Sequence, residues 1–247
     1  MEQVLGIDVG ATGIKGNLVD VENGVILDKR LKIKTPAKST PANVLGVMNE
    51  IIEHFDWKGK PLGIGFPAII QQGKTLSASN VDNSWLGFSA RKFLEKGTNC
   101  PLNIVNDADA AGIAEVAFGQ GKDVKGTVIL ITLGTGLGSA VFHDGKLIPN
   151  TELGHLKWKD KVLEKYMSNK VREINNLPWK VWAKELNKGL THVDFLFSPD
   201  LIVLGGGISK KFHLFSAYLN GPKSKVVAAD MKNDAGIIGS AMSYKLL

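Results

Sequence analysis

Residues 4–20 read VLGIDVGATGIKGNLVD, and residues 127–145 read TVILITLGTGLGSAVFHDG. Each stretch contains a run of apolar, β-branched residues, a break rich in glycine and threonine, and a second run of small and apolar residues that ends at a turn. This pattern predicts two antiparallel strands joined by a glycine-rich turn. Because the chain contains the pattern twice, we expect two related halves.

The composition excludes several classes of protein. The chain has 247 residues, of which 44% are hydrophobic and 22% are charged, as in ordinary globular proteins. No secretion signal and no uninterrupted apolar run is visible, so we expect a cytoplasmic protein with no membrane partner. The single cysteine, Cys100, excludes an internal disulfide. The net charge of +6 predicts attraction to polyanions, but few aromatic residues lie among the basic ones, so no nucleic-acid partner is expected.

The order of the predicted elements divides the chain into two α/β domains. Residues 1–120 begin with a meander of three strands and continue with alternating helices and strands, and a second meander opens residues 121–234. The Gly/Lys-rich connection GQGKDVKG at residues 119–126 marks the boundary.

Local patterns also predict individual elements. Residues 24–34 and 61–70 are each predicted as one strand, and residues 162–174 as one helical stretch. Thr40 is predicted to cap a helix that begins at Pro41, and another helix is expected after Ser209.

Glycine-rich turns let backbone amides approach phosphate oxygens, because no Cβ blocks the approach. The strand before the first turn ends with a carboxylate, Asp8, whereas the strand before the second turn has none. We therefore expect the first turn to bind the metal and the transferred phosphoryl group, and we expect the second turn to bind the rest of the donor chain. A third break, VLGGGIS, precedes a predicted helix. The alternative for each is a plain tight turn. The candidate phosphate-binding residues are Asp8, Gly10, Thr12, Gly13, Lys15, Gly134, Thr135, Gly136, Gly138, Gly206 and Gly207.

Several motifs together resemble one family. IDVGATGIKG (7–16) resembles the first phosphate motif of actin-like sugar kinases, and its pattern D-x-G-x-T-x-x-K resembles the ROK family (repressors, ORFs and kinases). SNVDNSW (79–85), NDADAAGIAEVAFGQG (106–121), PNTELGHL (149–156) and LPWKVWAKEL (177–186) resemble its polyphosphate glucokinase branch. Ala11 stands where the family usually has glycine, which restricts the turn if that residue needs a positive φ.

The resemblance implies a fold and an activity. The fold is a duplicated pair of actin-like (ribonuclease H-like) domains with the active site in the cleft between them, a C-terminal helix (235–247) that returns to the first domain, and a homodimer. The activity is transfer of a phosphoryl group from inorganic polyphosphate, with ATP as a further possible donor, to the 6-hydroxyl of glucose, assisted by Mg²⁺. The alternative is an ATP-dependent ROK hexokinase for glucose or mannose.

The resemblance also assigns roles around the sugar. Asp107 is implied as the general base, with Asn106 and Asn80 as sugar contacts. The alternative for the carboxylates is a cap on the helix that follows, and we assign that role to Asp109. Asp8 is implied to act through Mg²⁺ and its waters.

The second half contributes further candidates. Glu152 and His155 lie about one helical turn apart. In most ROK proteins such a histidine binds zinc together with a cysteine cluster, which this sequence lacks, so no zinc is expected. Glu164 matches the family's sugar glutamate, and a solvent-facing helix position is its alternative.

Two other classes are less favoured by the motifs. Regulators of the family have a helix-turn-helix ahead of the first phosphate motif, where this sequence has only MEQ. A non-catalytic actin-like ATPase or chaperone would lack the sugar residues. The basic balance favours polyphosphate over ATP alone and predicts a cationic track. Its candidate residues are Lys122, Lys125, Lys157, Lys159, Lys210 and Lys211.

Overall fold

The computed structural model describes residues 2–246, which form a mixed α/β structure. The first part of the chain forms β1 (Gln3–Val9), β2 (Ile14–Asp20), β3 (Val25–Ile26), β4 (Leu31–Ile33), α1 (Pro41–His54), β5 (Leu62–Phe66), β6 (Ile70–Gln71), β7 (Lys74–Thr75), α2 (Ala90–Thr98), β8 (Leu102–Asn106) and α3 (Asp107–Phe118). The second part forms β9 (Thr127–Leu133), β10 (Leu137–His143), β11 (Lys146–Ile148), β12 (Lys157–Trp158), β13 (Lys161–Val162), α4 (Glu164–Met167), α5 (Asn169–Ile174), α6 (Trp179–Phe197), β14 (Leu201–Gly205), β15 (Lys225–Ala228) and α7 (Ala235–Ser243). The described residues also form five 3-10 helices, at Asn83–Trp85, Leu153–His155, Gly207–Leu214, Ser216–Tyr218 and Tyr244–Leu246.

Two sheets share one topology. The first has the order β3-β2-β1-β5-β8, with β4 also paired to β2, and the second has the order β11-β10-β9-β14-β15. In both sheets the meander strands are antiparallel and the two later strands are added in parallel. The central strands are buried, as parallel strands covered on both faces generally are. The repeated pattern in the sequence therefore corresponds to a repeated sheet.

Contacts divide the chain into two compact units. The N-terminal unit comprises residues 2–114 and 234–246, and the C-terminal unit comprises residues 115–233. The division falls inside α3, six residues before the boundary expected from the sequence. Each unit has its own apolar core, around Trp85 in the first and Trp182 in the second.

The C-terminal helix α7 packs on β1 and β5 of the N-terminal unit. A Cβ at Gly6 would lie 2.1 Å from the Ile237 carbonyl oxygen, and one at Gly63 would lie 1.8 Å from the Ser240 carbonyl oxygen. These two strand glycines therefore allow the helix backbone to lie directly on the sheet.

Two predicted strands are each divided in the structure. Residues 24–34 form β3 and β4, because the buried Asn17 binds the backbone of Asp28 through its Nδ2 (2.7 Å to the carbonyl oxygen) and its Oδ1 (3.2 Å to the amide nitrogen). Residues 61–70 form β5 and β6, and the break includes Pro67, which has no amide proton for a ladder. The prediction of single strands was wrong at both places.

The helical predictions have mixed outcomes. Thr40 caps α1 and accepts a hydrogen bond from the Asn43 amide, as predicted. The stretch 162–174 is two helices, because the Ser168 side chain caps α5 by accepting from the Val171 amide. The segment after Ser209 is a 3-10 helix that begins earlier, at Gly207, and its three-residue period aligns Phe212 with Phe215 at a ring distance of 5.4 Å. Among residues 2–246, no helix combines the length and apolar character needed to cross a membrane.

Candidate active site

The first glycine-rich turn joins β1 to β2 through residues 10–13. The Gly10 amide donates to the Gly13 carbonyl oxygen (3.1 Å), so it closes the turn and is not available to a phosphate. Ala11 does not adopt a positive φ, so alanine imposes no strain here. Ala11 and Thr12 are exposed, and their amides are the candidates for phosphate contacts.

Asp8 and Lys15 face each other across this hairpin. They are cross-strand partners, and Lys15 Nζ lies 2.7 Å from Asp8 Oδ2. The Asp8 carboxylate is largely buried, with 16% of its side chain exposed, and a Cβ at Gly236 would lie 2.9 Å from its Cγ. The N-terminal turn of α7 therefore packs against the carboxylate, where the helix dipole favours negative charge.

The donor set allows one hard cation to bind nearby. A carboxylate oxygen can bind Mg²⁺ directly or accept hydrogen bonds from its waters, and Asp8 presents one beside the exposed turn. No group of three or more His, Cys, Asp and Glu side chains suited to a metal occurs within residues 2–246.

Asn80 lines a cleft next to the first turn. The cleft has a volume of about 420 Å³ and is lined by residues that include Ala11, Thr35, Lys38, Ser39, Asn80 and Asp82. Thr35 Oγ1 donates to the Gly10 carbonyl oxygen (2.6 Å), which ties one wall to the turn. The N-terminal unit thus brings Asn80 and the first glycine-rich turn together.

The loop that contains Asn80 is held by Ser39 and Trp85. The buried Trp85 donates from Nε1 to the Ser39 carbonyl oxygen (2.7 Å), and the Asp82 amide donates to Ser39 Oγ (3.1 Å). Thr35, Lys38 and Ser39, which also line this cleft, are not among the residues predicted from the sequence. The run KTPAKST (34–40) is rich in hydroxyl and basic side chains, and that composition is the signal that could have indicated it.

Asp107 is the first residue of α3, directly after β8. The cap of this helix is Asn106, whose Oδ1 accepts from the amides of Ala108 (2.8 Å) and Asp109 (3.2 Å). The capping side chain is therefore not Asp109, which is a buried residue of the first turn. Asn106 Nδ2 donates to the Ala68 carbonyl oxygen (3.2 Å), which leaves one of its two amide protons for another partner. Asp107 is half-buried and is not among the residues that line the Asn80 cleft.

The second glycine-rich turn joins β9 to β10 through residues 134–136 and is one residue shorter than the first. The Gly134 amide donates to the Gly136 carbonyl oxygen (3.0 Å), which repeats the closure of the first turn. Gly134 has no positive φ, and a Cβ there would meet no atom within 4 Å. The fold does not require glycine at this position, and the exposed residues Gly134 and Thr135 leave the backbone accessible.

The third break lies directly beside the second turn. Gly206 has φ of +82°, and a Cβ there would lie 2.9 Å from the Leu133 carbonyl oxygen, so this position requires glycine. The next residue, Gly207, is exposed and has open space around it. Gly138 lies within β10 opposite Thr132. The C-terminal unit therefore places two of the three predicted phosphate segments together.

Glu152, His155 and Glu164 form one cluster in the C-terminal unit. His155 Nδ1 lies 3.4 Å from Glu152 Oε2, and a Cβ at Gly136 would lie 2.9 Å from Glu164 Oε2. Burial raises the pKa of the Glu152 carboxyl, and the neighbouring Glu164 adds to this, whereas His155 lowers it. Glu164 is the first residue of α4, has 19% of its side chain exposed, and pairs with Lys165 at 2.8 Å. It therefore faces the second turn rather than open solvent.

One lysine of the predicted track, Lys159, already has an anionic partner. Lys159 Nζ lies 2.7 Å from Glu185 Oε2, and the same carboxylate binds Lys188. These two bonds lower the pKa of Glu185, with the Lys159 bond contributing most. Lys159 is therefore a weak candidate for holding a polyanion.

The family model of the ROK family matches residues 4–170. The chain belongs to the ROK family, as the motif resemblance predicted. A polyphosphate glucokinase of Mycobacterium tuberculosis is 43% identical over 240 residues, which cover 96% of this chain and 89% of that protein. Both halves of the chain are therefore represented in this relative.

Two solved structures extend the comparison. The inorganic polyphosphate/ATP-glucomannokinase of Arthrobacter sp. strain KM superposes with a TM-score of 0.95 at 42% identity, covering 100% of this chain and 99% of that one. A ROK family glucokinase of Streptomyces griseus, solved with glucose and AMPPNP, has a TM-score of 0.84 at 23% identity, covering 100% of both chains. The second likeness concerns the fold alone.

Proposed function

We propose that this protein is a glucokinase that transfers the terminal phosphoryl group of inorganic polyphosphate to the 6-hydroxyl of glucose, with ATP as a second donor. The observation that carries the proposal is 41–43% identity over 96% of the chain to mycobacterial proteins named polyphosphate glucokinase. The Arthrobacter structure, whose name includes both polyphosphate and ATP, supports the pair of donors.

The two units are proposed to be duplicated actin-like domains. The identical order and direction of strands in the two sheets supports this proposal. So does the glycine-rich turn, which occupies the same place between the first two strands of each sheet. The homodimer implied by the family resemblance stays a prediction.

Asp107 is proposed as the general base. As the bond from the sugar O6 to phosphorus forms, the Asp107 carboxylate accepts the O6 proton, and the bond from phosphorus to the donor oxygen breaks. The donor leaves as polyphosphate shortened by one phosphate, or as ADP. The position of Asp107 directly after β8 supports this role, and Asn106 fixes the backbone beside it.

Asn80 and Asn106 are proposed to bind sugar hydroxyls in the N-terminal unit. The remaining amide proton of Asn106 and the position of Asn80 on the cleft support these roles. Glu152, His155 and Glu164 are proposed sugar ligands by resemblance, and their grouping beside Gly136 supports it. Carboxylates and imidazole are suitable acceptors and donors for neighbouring hydroxyls.

Asp8 and the amides of the two turns are proposed to serve the donor. Mg²⁺, when bound, would spread the negative charge of the phosphoryl group, and Asp8 would hold it through its waters. Lys15 limits the repulsion between the Asp8 carboxylate and the incoming phosphates, because it pairs with that carboxylate at 2.7 Å. The exposed Thr12, Thr135 and Gly207 would contact phosphate oxygens.

The test is formation of sugar 6-phosphate with Mg²⁺ and either long-chain polyphosphate or ATP as sole donor. Turnover of glucose with polyphosphate is the expected result. Turnover with ATP alone would leave an ATP-dependent hexokinase and overturn the polyphosphate assignment. Mannose is the second acceptor to assay, because the Arthrobacter relative is named a glucomannokinase.

A further inference from the structure

Two cationic side chains of the C-terminal unit share one aromatic ring. Arg172 Cζ lies 4.1 Å from the centre of the Trp179 ring, and Lys211 Nζ lies 5.8 Å from it. Arg172 belongs to α5, Trp179 begins α6, and Lys211 lies in the 3-10 helix Gly207–Leu214. Each cation is attracted to the ring, but the two cations repel each other. An anion placed near both would relieve that repulsion.

The local carboxylates do not balance these charges. Glu173 Oε1 lies 3.5 Å from the guanidinium of Arg172, and it also accepts from Asn169 Nδ2 at 2.8 Å. The 3-10 helix that contains Lys211 has a second lysine, Lys210, and no acidic residue. Within residues 2–246 Lys211 forms no ion pair. The cluster therefore has an excess of positive charge.

The ring that gathers the cations is fixed in position. Trp179 stacks on Phe215 at 5.8 Å with an interplanar angle of 14°, and meets the edge of Trp182 at 5.9 Å. Phe215 and Trp182 are both fully buried. Arg172 is constrained in addition by the bond from its Nε to Asn169 Oδ1 (3.1 Å). A site built from restrained side chains loses little entropy when a ligand binds.

Both cations are connected to the glycine-rich segments. The amide of Lys170, two residues before Arg172, donates to the Gly134 carbonyl oxygen at 3.1 Å. Lys211 lies four residues after Gly207 in the same 3-10 helix. The cluster thus adjoins the second turn on one side and the third break on the other, both within the C-terminal unit.

The chemistry of the cluster favours phosphate over a nucleotide base. The Trp179 ring already makes face contacts with Phe215 and Arg172, so adenine has no open face on which to stack. A guanidinium binds two oxygens of one phosphate through its forked donors, and a lysine ammonium adds a mobile point charge. Beyond its first three phosphates, inorganic polyphosphate has further phosphates, whereas ATP has adenosine. A phosphate site at this position therefore suits polyphosphate and not ATP.

We infer that Arg172 and Lys211, held on Trp179, bind the segment of a polyphosphate chain that extends beyond the phosphates at the glycine-rich turns. The inference rests on the proposed function, and it attributes the preference of the enzyme for long-chain polyphosphate to these two residues. Short donors do not reach this site, so it contributes to the affinity for long chains and not to the chemistry. The other members of the predicted lysine track are not required.

The test compares the parent with a variant that has both Arg172→Gln and Lys211→Gln. We expect the KM for long-chain polyphosphate to rise about tenfold, and its dependence on salt concentration to weaken by about two charges. The KM values for tripolyphosphate, ATP and glucose are expected to stay within about twofold of the parent. Direct titration of each protein with long-chain polyphosphate, without glucose, measures the same loss independently of turnover.

The matched control removes two positive charges elsewhere. Lys60 lies over the Trp57 ring at 4.8 Å, and Lys188 pairs with Glu185. The double variant Lys60→Gln, Lys188→Gln has the same net charge as the test variant and should bind polyphosphate like the parent. Restoring one charge by Arg172→Lys in place of Arg172→Gln should recover part of the affinity.

The outcomes separate the two proposals. Equal polyphosphate affinity and equal salt dependence in parent and test variant would overturn the site, even if the enzyme uses polyphosphate. Equal losses in the test and control variants would assign the effect to net charge and also overturn it. If the parent transfers no phosphoryl group from polyphosphate, the proposed function fails, whereas the titration still decides whether Arg172 and Lys211 bind the chain.

Discussion

The two glycine-rich hairpins occupy the same place in their sheets, and they differ by one residue in the turn and in the side chains next to it. Counting back from each turn, the second cross-strand pair is Asp8 and Lys15 in the first hairpin and Thr132 and Gly138 in the second. The first pair forms an ion pair at 2.7 Å, and the second is small and uncharged. The two hairpins thus differ at one register position, and this difference supports the proposed division of roles, with the cation and the reacting phosphoryl group at the first hairpin and the phosphate chain at the second.

The surroundings of the hairpins extend the difference. The first adjoins the cleft that contains Asn80, and its carboxylate meets the start of α7. The second adjoins Glu164, Lys170 and the Gly206 segment, and it has open space at Gly134. The two sheets therefore carry the same kind of glycine-rich turn in different surroundings, which supports the different roles proposed for the two turns.

The largest expected effect tests whether the N-terminal unit supplies the base. Asp107→Asn should lower kcat by about 10²- to 10⁴-fold, because the amide cannot accept the O6 proton. Glucose affinity and Tm should change little, since Asn106 caps α3 with two bonds, and the bond that Asp107 Oδ1 accepts from the Ala108 amide (2.9 Å) can be kept by an amide oxygen. A kcat near that of the parent in steady-state assays would remove Asp107 from this role.

The next test compares the two hairpins directly. Asp8→Asn should lower activity by about 10- to 100-fold and raise the Mg²⁺ concentration needed for half-maximal rate, because a carboxylate that orients the metal's waters is lost. Thr132→Val, at the matching position of the second hairpin, should leave the Mg²⁺ titration unchanged. Identical titrations for both variants would contradict the division of roles.

A third test separates glycines that the fold requires from glycines that a ligand requires. Gly206→Ala should destabilise the protein by about 1–3 kcal/mol, because Gly206 has φ of 82° and ψ of 178°, a combination that is essentially restricted to glycine. Gly134→Ala should leave Tm within error and instead raise the KM for the phosphoryl donor several-fold, since open space surrounds that position. Thermal melts and donor titrations of the two variants provide the comparison, and the reverse assignment of effects would refute it.

The smallest effect concerns the carboxylates beside the second hairpin. The pKa of Glu152 is raised chiefly by burial, so its ionisation is more costly in the folded than in the unfolded protein. Its contribution to stability is complete below the unfolded pKa and is lost as pH rises through the folded pKa. Glu152→Gln should therefore have a slightly higher Tm than the parent at pH 7 and the same Tm near pH 4. A difference in Tm that is independent of pH would exclude this cause.

Much of the fold follows from local sequence patterns. The alternating strand runs, the glycine-rich turns and the Thr40–Pro41 helix start depend on neighbouring residues, and the structure contains each of them. The divided strand at residues 24–34 could not be predicted, because it depends on bonds from Asn17 to a residue eleven positions away. The division at Pro67 had a visible signal, since proline interrupts strand ladders.

The sequence motifs predict candidate site residues but not how those residues are arranged. The motifs identified Asn80, Asp107, Glu152 and Glu164 one by one. The contact between Gly136 and Glu164, and the closure of the Asn80 loop by Ser39 and Trp85, join residues distant in sequence. No local pattern indicated that Arg172 and Lys211 would meet on Trp179, because three separate elements position them.

The return of α7 to β1 and β5 has a consequence for how the protein is made. The C-terminal unit is one continuous segment, whereas the N-terminal unit lacks its helix cover until synthesis has passed residue 243. Strands β1 and β5, whose glycines accommodate that helix, therefore have one face uncovered while the rest of the chain is being synthesised. The half of the protein that is synthesised first is thus the half that is completed last.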